Sequence, residues 1–308
     1  MILVVGSSNI DLVVSVDRLP GRGETVLGSR FAQSFGGKGA NQAIAAARAG
    51  ADVAFLSKLG ADANGLLIER HLAEQGLLRP ILLRDAEFPT GVAMILVDHS
   101  GENQIAVVPG SNGRLTPTDV LQHRELIAGA RVLLVQMEIP LETVLEALRL
   151  GRECGLTTIL NPAPAAPLTP DLLRLVDILT PNETEAQMLT GSTDPEEAAR
   201  ILTGRGVGTV VVTCGPGGAF LTTGNDVIHV PGFRVETIDS TGAGDAFSGA
   251  LASAVAEGVP LTSAIERANA AGALATAGRG AQESMPTKDD IEQLCRSRMR
   301  EMEPPQRS

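Results

Sequence analysis

Short, almost wholly apolar runs recur along this 308-residue chain and alternate with segments whose apolar positions fall three and four residues apart. The runs are ILVVG, DVAFLS, RVLLVQ, TTILN, DILTPN and TVVVTCG, each bounded by Gly, Pro or polar residues. The periodic segments predict helices over 39–49, 62–75, 117–128, 140–150, 182–190 and 195–204. Thr116-Pro117 and Asp194-Pro195 mark two of the starts, since each sets a capping side chain before a proline in the first turn. Strands apolar on both faces, alternating with helices, predict an α/β three-layer sandwich around a mostly parallel central sheet.

Two stretches break that rhythm. Residues 11–35 and 91–108 alternate as antiparallel hairpins do, the second turning at His99-Ser100-Gly101-Glu102. They predict a small β-sheet lid, with segments about 11–35 and 88–109 inserted into a single domain over 1–308. NPAPAAPLTP at 161–170 reads as a loop over the sheet edge, and the last residues, from Arg296, as a frayed tail after a final helix.

Composition narrows the function. The net charge of -11, with no Trp or Tyr and seven Phe, excludes the basic, aromatic face of a nucleic-acid binder. The three cysteines lie far apart and the four histidines form no ligand motif, so a structural metal is not expected. The N-terminus MILVVGSSNID reads as a first strand, and no apolar run reaches 18 residues. A cytoplasmic protein without a membrane partner is the expectation.

In parallel sheets, ligands bind beyond the carboxyl ends of the strands. The residues that follow the apolar runs here are Asn9 and Asp11, Glu138, Asn161, Asn182 and Glu185, and Thr213 to Gly218. Any one of them could be an ordinary polar strand end; together they make a hydrogen-bonding rim almost without Lys or Arg. DSTGAGDAFSGA at 239–250 fits neither a dinucleotide fingerprint nor a Walker loop. It reads as a glycine turn opening a helix over 244–257, whose free N–H groups suit an anion. Asp245 would repel that anion. It is either a helix-start carboxylate or a base placed beside a phosphoryl group in transfer.

GSSNIDLV, FGGKGANQA, NPAPA, TPNETEA, TCGPGGAF, VPGF and DSTGAGDAFSGA, in that order, resemble the ribokinase-like (PfkB-type) carbohydrate kinases from residue 2 to about 295. The resemblance implies ATP-dependent phosphorylation of the primary hydroxyl of D-ribose, with Asp245 as base and Gly242, Ala243 and Gly244 as an anion hole. It implies that Asn9, Asp11, Gly37, Lys38, Gly39, Asn41 and Glu138 hold the sugar, the glycines letting backbone amides approach it. Asn182, Thr213, Gly215, Pro216, Gly217, Gly218, Gly244 and Asn269 would border ATP, and Glu185 would hold Mg2+ through water. Asp239 and Thr241, with Ala275, Gly278, Gly280 and Ser284, would hold a potassium ion. The lid would join two copies as a homodimer. Kinases of deoxyribose, fructose, ketodeoxygluconate or a nucleoside share these motifs, and a sugar or nucleotide sensor could keep the fold without the chemistry. The scarcity of aromatics favours a bare sugar over a nucleoside, whose base would want a stacking partner.

Overall fold

A computed structural model describes residues 1–302 except 78 and 225. The strands are β1 Ile2–Val5, β2 Asn9–Val16, β3 Gly28–Gly36, β4 Val53–Gly60, β5 Arg79–Asp85, β6 Gly91–Val97 and β7 Asn103–Val108. Then come β8 Val132–Gln136, β9 Thr157–Asn161, β10 Ile178–Leu179, β11 Thr209–Thr213, β12 Gly218–Thr223 and β13 Asp226–Pro231. The helices are α1 Lys38–Arg48, α2 Ala63–Glu74, α3 Pro117–Leu121, α4 Arg124–Ala128, α5 Leu141–Glu153 and α6 Pro170–Leu173. They continue with α7 Glu183–Thr190, α8 Pro195–Gly204, α9 Ala243–Glu257, α10 Leu261–Thr276 and α11 Lys288–Met302.

Nine strands form the central sheet in the order β13-β12-β11-β10-β9-β8-β1-β4-β5, parallel from β11 to β5 with two antiparallel strands at one edge. Alternation along β1 explains the three layers. Ile2 and Val4 point into a core shared with α1, α2, α9 and α10, while Leu3 and Val5 point into the opposite core with α3, α5 and α8. Burial on both faces is what lets this strand be apolar at every position.

A second sheet, β3-β2-β6-β7, contains both expected hairpins, and its strands begin and end within two residues of the expected bounds. The parallel β2 and β6 join the hairpins, with Asn9 set between Gly36 and Gly91. The expected helix over 117–128 breaks into α3 and α4, and the final helix runs to Met302 where a tail was expected from Arg296; residues 303–308 lie outside the described part. The caps are as expected: Thr116 forms a capping box with Asp119, and Asp194 accepts from the Glu196 N–H. No described helix is long and apolar enough to cross a membrane.

Candidate active site

The carboxyl ends of β1, β8, β9, β10 and β11 open on one rim, where α1 and α9 both begin. Gly242 caps α9 in the left-handed region (φ 80°), a conformation that suits glycine, and places Asp245 in the first turn. Asp245 is 5 % exposed. Its Oδ2 accepts from Asn41 Nδ2 and its Oδ1 from Gln42 Nε2, both at 2.9 Å. Gln42 also donates to Asn161 Oδ1 at 3.0 Å and accepts from Gln136 Nε2 at 2.7 Å. The residue expected as base is therefore held by two amides from consecutive positions of α1.

Around Asp245 the rim carries three more carboxylates and one cation. Glu138 Oε2 accepts from Ser7 Oγ at 2.5 Å and from the Lys38 N–H at 3.0 Å, tying the loops after β1 and β8 to the start of α1. Asn9 Oδ1 accepts from Asn112 Nδ2 at 2.8 Å. Asp11 stands beside Gly36, and among the described residues no hydrogen-bond donor reaches its carboxylate. Burial, reinforced by Glu138, Glu283 and Asp245, pushes Asp11 up to about 7. Asp245 foremost holds the Lys38 ammonium above the ordinary lysine range, against the opposing effect of burial.

The Gly36–Asn41 loop departs from expectation in one respect. A Cβ on Gly37 would lie 2.7 Å from Ser8 Cα, and one on Gly39 would lie 2.5 Å from the Ser7 nitrogen. The Lys38, Gly39 and Ala40 N–H groups already donate to Glu138, Ser7 Oγ and Ser7 O. These glycines let α1 press on the β1–β2 loop, and the amides of residues 38 to 40 are already bonded within the chain.

Two connected cavities flank the start of α9. A polar one of about 210 Å3 is lined by Lys38, Asn161, Thr180, Asn182, Glu185 and Asp245. Thr180 Oγ1 is buried there without a partner among the described residues. A more apolar groove of about 540 Å3 runs from Thr213, Gly215, Pro216 and Gly218 past Phe233 and Val235 to Asn269 and Ala273. Ala243, Gly244 and Phe247 belong to both. A Cβ on Gly244 would meet nothing within 4 Å, so the chain leaves that position open to the cavities.

Asn182 caps α7 in a capping box with Glu185, whose Oε2 accepts the Asn182 N–H at 2.9 Å. Burial raises Glu185 above the usual carboxylate range. Asn269 donates to the Val230 and Pro231 carbonyls at 3.1 and 3.3 Å, so it fixes the end of β13 as well as lining the groove. Asp239 Oδ1 accepts from the Thr241 N–H and Oγ1 at 2.9 and 2.6 Å, and Oδ2 from the Gly280 N–H at 3.0 Å. Ser284 Oγ donates to the Gly280 carbonyl at 2.7 Å, and the Ala275 carbonyl accepts from Gly278. The two loops expected to share a cation thus lie side by side. Gln42, Gln136, Asn112 and Gln282 belong to the site and were missed; Gln42 and Gln282 sit inside the motifs GANQA and GAQES, where only their burial would have singled them out.

A buried carboxylate in the first turn of a helix, lining a polar cavity that shares Ala243, Gly244 and Phe247 with an apolar groove, suits phosphoryl transfer, and the family comparison agrees. The model of the pfkB family carbohydrate kinases matches residues 1–288. The chain belongs to this family, an ATP-dependent phosphotransferase class. It is 40 % identical over 292 residues to the ribokinase of Haemophilus influenzae, covering 93 % of this chain and 95 % of that one. It is 41 % identical over 297 residues to a bifunctional ribokinase/ribose-5-phosphate isomerase A of Fructilactobacillus sanfranciscensis, covering 94 % of this chain and 55 % of that longer protein. Among solved structures, Arabidopsis thaliana ribokinase complexed with ribose and ATP superposes with a TM-score of 0.87 at 33 % identity, covering 95 % and 97 % of the two chains.

Proposed function

We propose that this chain transfers the γ-phosphoryl group of ATP to the primary hydroxyl of D-ribose, giving D-ribose 5-phosphate. The observation that carries the reading is the seat of Asp245, in the polar cavity and next to Gly244, which lines both that cavity and the apolar groove. ATP fits the groove, its phosphates reaching Gly244 and Lys38, with Thr213, Gly215, Pro216, Gly217 and Gly218 along one wall. The sugar fits the side of Asp245 bordered by Asn9, Asp11, Asn41 and Glu138, where the unpartnered Asp11 carboxylate suits a pair of hydroxyl donors. Asp245 takes the hydroxyl proton as the bond to phosphorus forms, and the N–H groups at Gly242 and Gly244 face the developing charge; the Ala243 N–H donates to the Ser240 carbonyl at 3.2 Å and would have to leave it to join them.

Glu185 and Asn182 suit Mg2+ held through water, which would screen the phosphate charge. The joined loops of Asp239, Thr241, Ala275, Gly278, Gly280 and Ser284 suit potassium and would stiffen the start of α9. The small sheet serves as lid of a single cytoplasmic domain, and its exposed Phe31, Met94, Ile105 and Val107 make it the face of a homodimer.

A coupled ADP-release assay tests the reading. Turnover with ribose should exceed that with deoxyribose, fructose, ketodeoxygluconate or inosine by at least tenfold, and replacing potassium by tetramethylammonium should lower it severalfold. Turnover with none of these acceptors would overturn the kinase reading, and indifference to the cation would remove the potassium loops from it. Sedimentation of the same preparation as a monomer at micromolar concentration would remove the dimer.

A further inference from the structure

Asp245 is one end of a chain of side-chain hydrogen bonds that leads away from the cavities. Asn41 Nδ2 donates to Asp245 Oδ2 at 2.9 Å, and Gln282 Nε2 donates to Asn41 Oδ1 at 2.8 Å. Gln282 Oε1 in turn lies 2.8 Å from Nε2 of His71, on α2. The ring of Phe35 stacks on the imidazole with centroids 3.8 Å apart and planes within 7°. Asn41 and Gln282 are 6 % and 1 % exposed, and neither Gln282 nor His71 lines the polar cavity or the apolar groove.

The chain has a direction that follows from the chemistry of its ends. An ionised carboxylate can only accept, so Asn41 must turn its NH2 toward Asp245 and its oxygen away. That oxygen can only accept, so Gln282 must present its own NH2, which leaves Gln282 Oε1 in need of a donor. His71 Nε2–H is that donor. Reversing any one amide would set two oxygens against each other in a buried place, where hydrogen bonds are both stronger and costlier to lose. Burial holds His71 below the ordinary histidine range, against the opposing pull of the Gln282 bond, and the face-to-face Phe35 fixes its ring plane.

We propose that His71 and Gln282 are positioning residues for Asp245, locking the orientation of Asn41 and through it the rotamer of the carboxylate that takes the sugar proton. This rests on the reading of Asp245 as base. With Oδ2 held by Asn41 and Oδ1 by Gln42, the carboxylate cannot turn without breaking a buried bond. Losing one holder lets it leave the geometry that transfer requires, which lowers kcat while leaving nucleotide binding in place.

The test measures kcat and both KM values for variants at the remote end of the chain, with ribose and ATP. Gln282→Glu puts an acceptor opposite Asn41 Oδ1 and should lower kcat about 30-fold, with the KM for ATP within about twofold. His71→Leu should lower kcat about fivefold; His71→Gln, which keeps an N–H donor, should restore it to within about twofold of the parent. Nitrogen-15 NMR of the parent should find His71 with its proton on Nε2. Folded His71→Leu with the parent kcat, His71→Gln no better than His71→Leu, or a proton on Nδ1 would each overturn the proposal. Should Gln282→Glu not fold, the two His71 variants decide, since His71 lies outside the 278–284 loop. Asp245→Asn separates the two readings. Turnover retained there would sink the base assignment itself, whereas an inactive Asp245→Asn beside fully active His71 and Gln282 variants would sink only the chain that positions it.

Discussion

The two glycine loops of the site, Gly36–Gly39 and Gly242–Gly244, look alike in sequence, and both open a helix aimed at the same rim. Their glycines answer to different neighbours. At Gly37 and Gly39 an added methyl would strike the backbone of residues 6 to 9, so the absent side chains serve the contact between α1 and the β1–β2 loop. Gly37 and Gly242 also share a positive φ, 89° and 80°, whereas Gly244 alone has free space before it. Three causes of glycine thus stand within one site: close packing, backbone conformation and room for a ligand.

Adding one methyl to each loop breaks the comparison most directly. Gly39→Ala places Cβ 2.5 Å from backbone that cannot swing aside, so it should cost about 3 kcal/mol of stability or more, read as a lowered urea midpoint, with activity falling as α1 shifts. Gly244→Ala should leave stability unchanged or raise it by about 0.5 kcal/mol, because alanine suits a helix better than glycine. The same change should cut kcat/KM about tenfold to thirtyfold, or about 1.4–2 kcal/mol of transition-state stabilisation, by filling space meant for phosphate. If Gly39→Ala kept full stability, or Gly244→Ala kept full activity, the loops would not differ as their surroundings indicate.

That contrast also marks how far the sequence could be read. Alternation of apolar runs with helical periods exposed β1, β4, β8, β9 and β11, because strands buried on both faces have no reason to carry polar residues. It missed β5, where Pro80 and two arginines break up a half-buried strand near the sheet edge, and α10, whose LTSAIERANAAGALAT is too uniformly small to show a face. The order of motifs brought Asp245, Asn41 and Glu138 to one place. What no motif conveyed was the second set of partners: Gln42 beside Asn41, and Gln282 amid the residues read as a cation loop. A glutamine in a helix or loop is ordinarily a solvated residue; the packing of α1 against α9 encloses Gln42, and Gln282 is held where its loop meets α1 and α2.

The two loops also differ in how they treat a carboxylate, which gives the smallest and most specific prediction. Asp245, at the second loop, receives two amide donors, whereas Asp11, pressed against Gly36 of the first, receives none from the described residues and faces Glu138 nearby. Its proton is held to about 7, while the unfolded chain releases it near 3.8. Between those values the folded state binds more proton than the unfolded one, so this group makes stability fall as pH rises from about 4 to about 7 and adds no further slope above that. Asn cannot ionise, so Asp11→Asn should remove that component. Because Asp11 is only half-buried, solvent screens much of the effect, and the gain of Asp11→Asn over the parent should be about 1 kcal/mol larger at pH 8 than at pH 5. Denaturant titrations of both proteins at the two pH values measure it. A constant difference between them would mean that Asp11 ionises without penalty and that the first loop encloses it no more tightly than the second encloses Asp245.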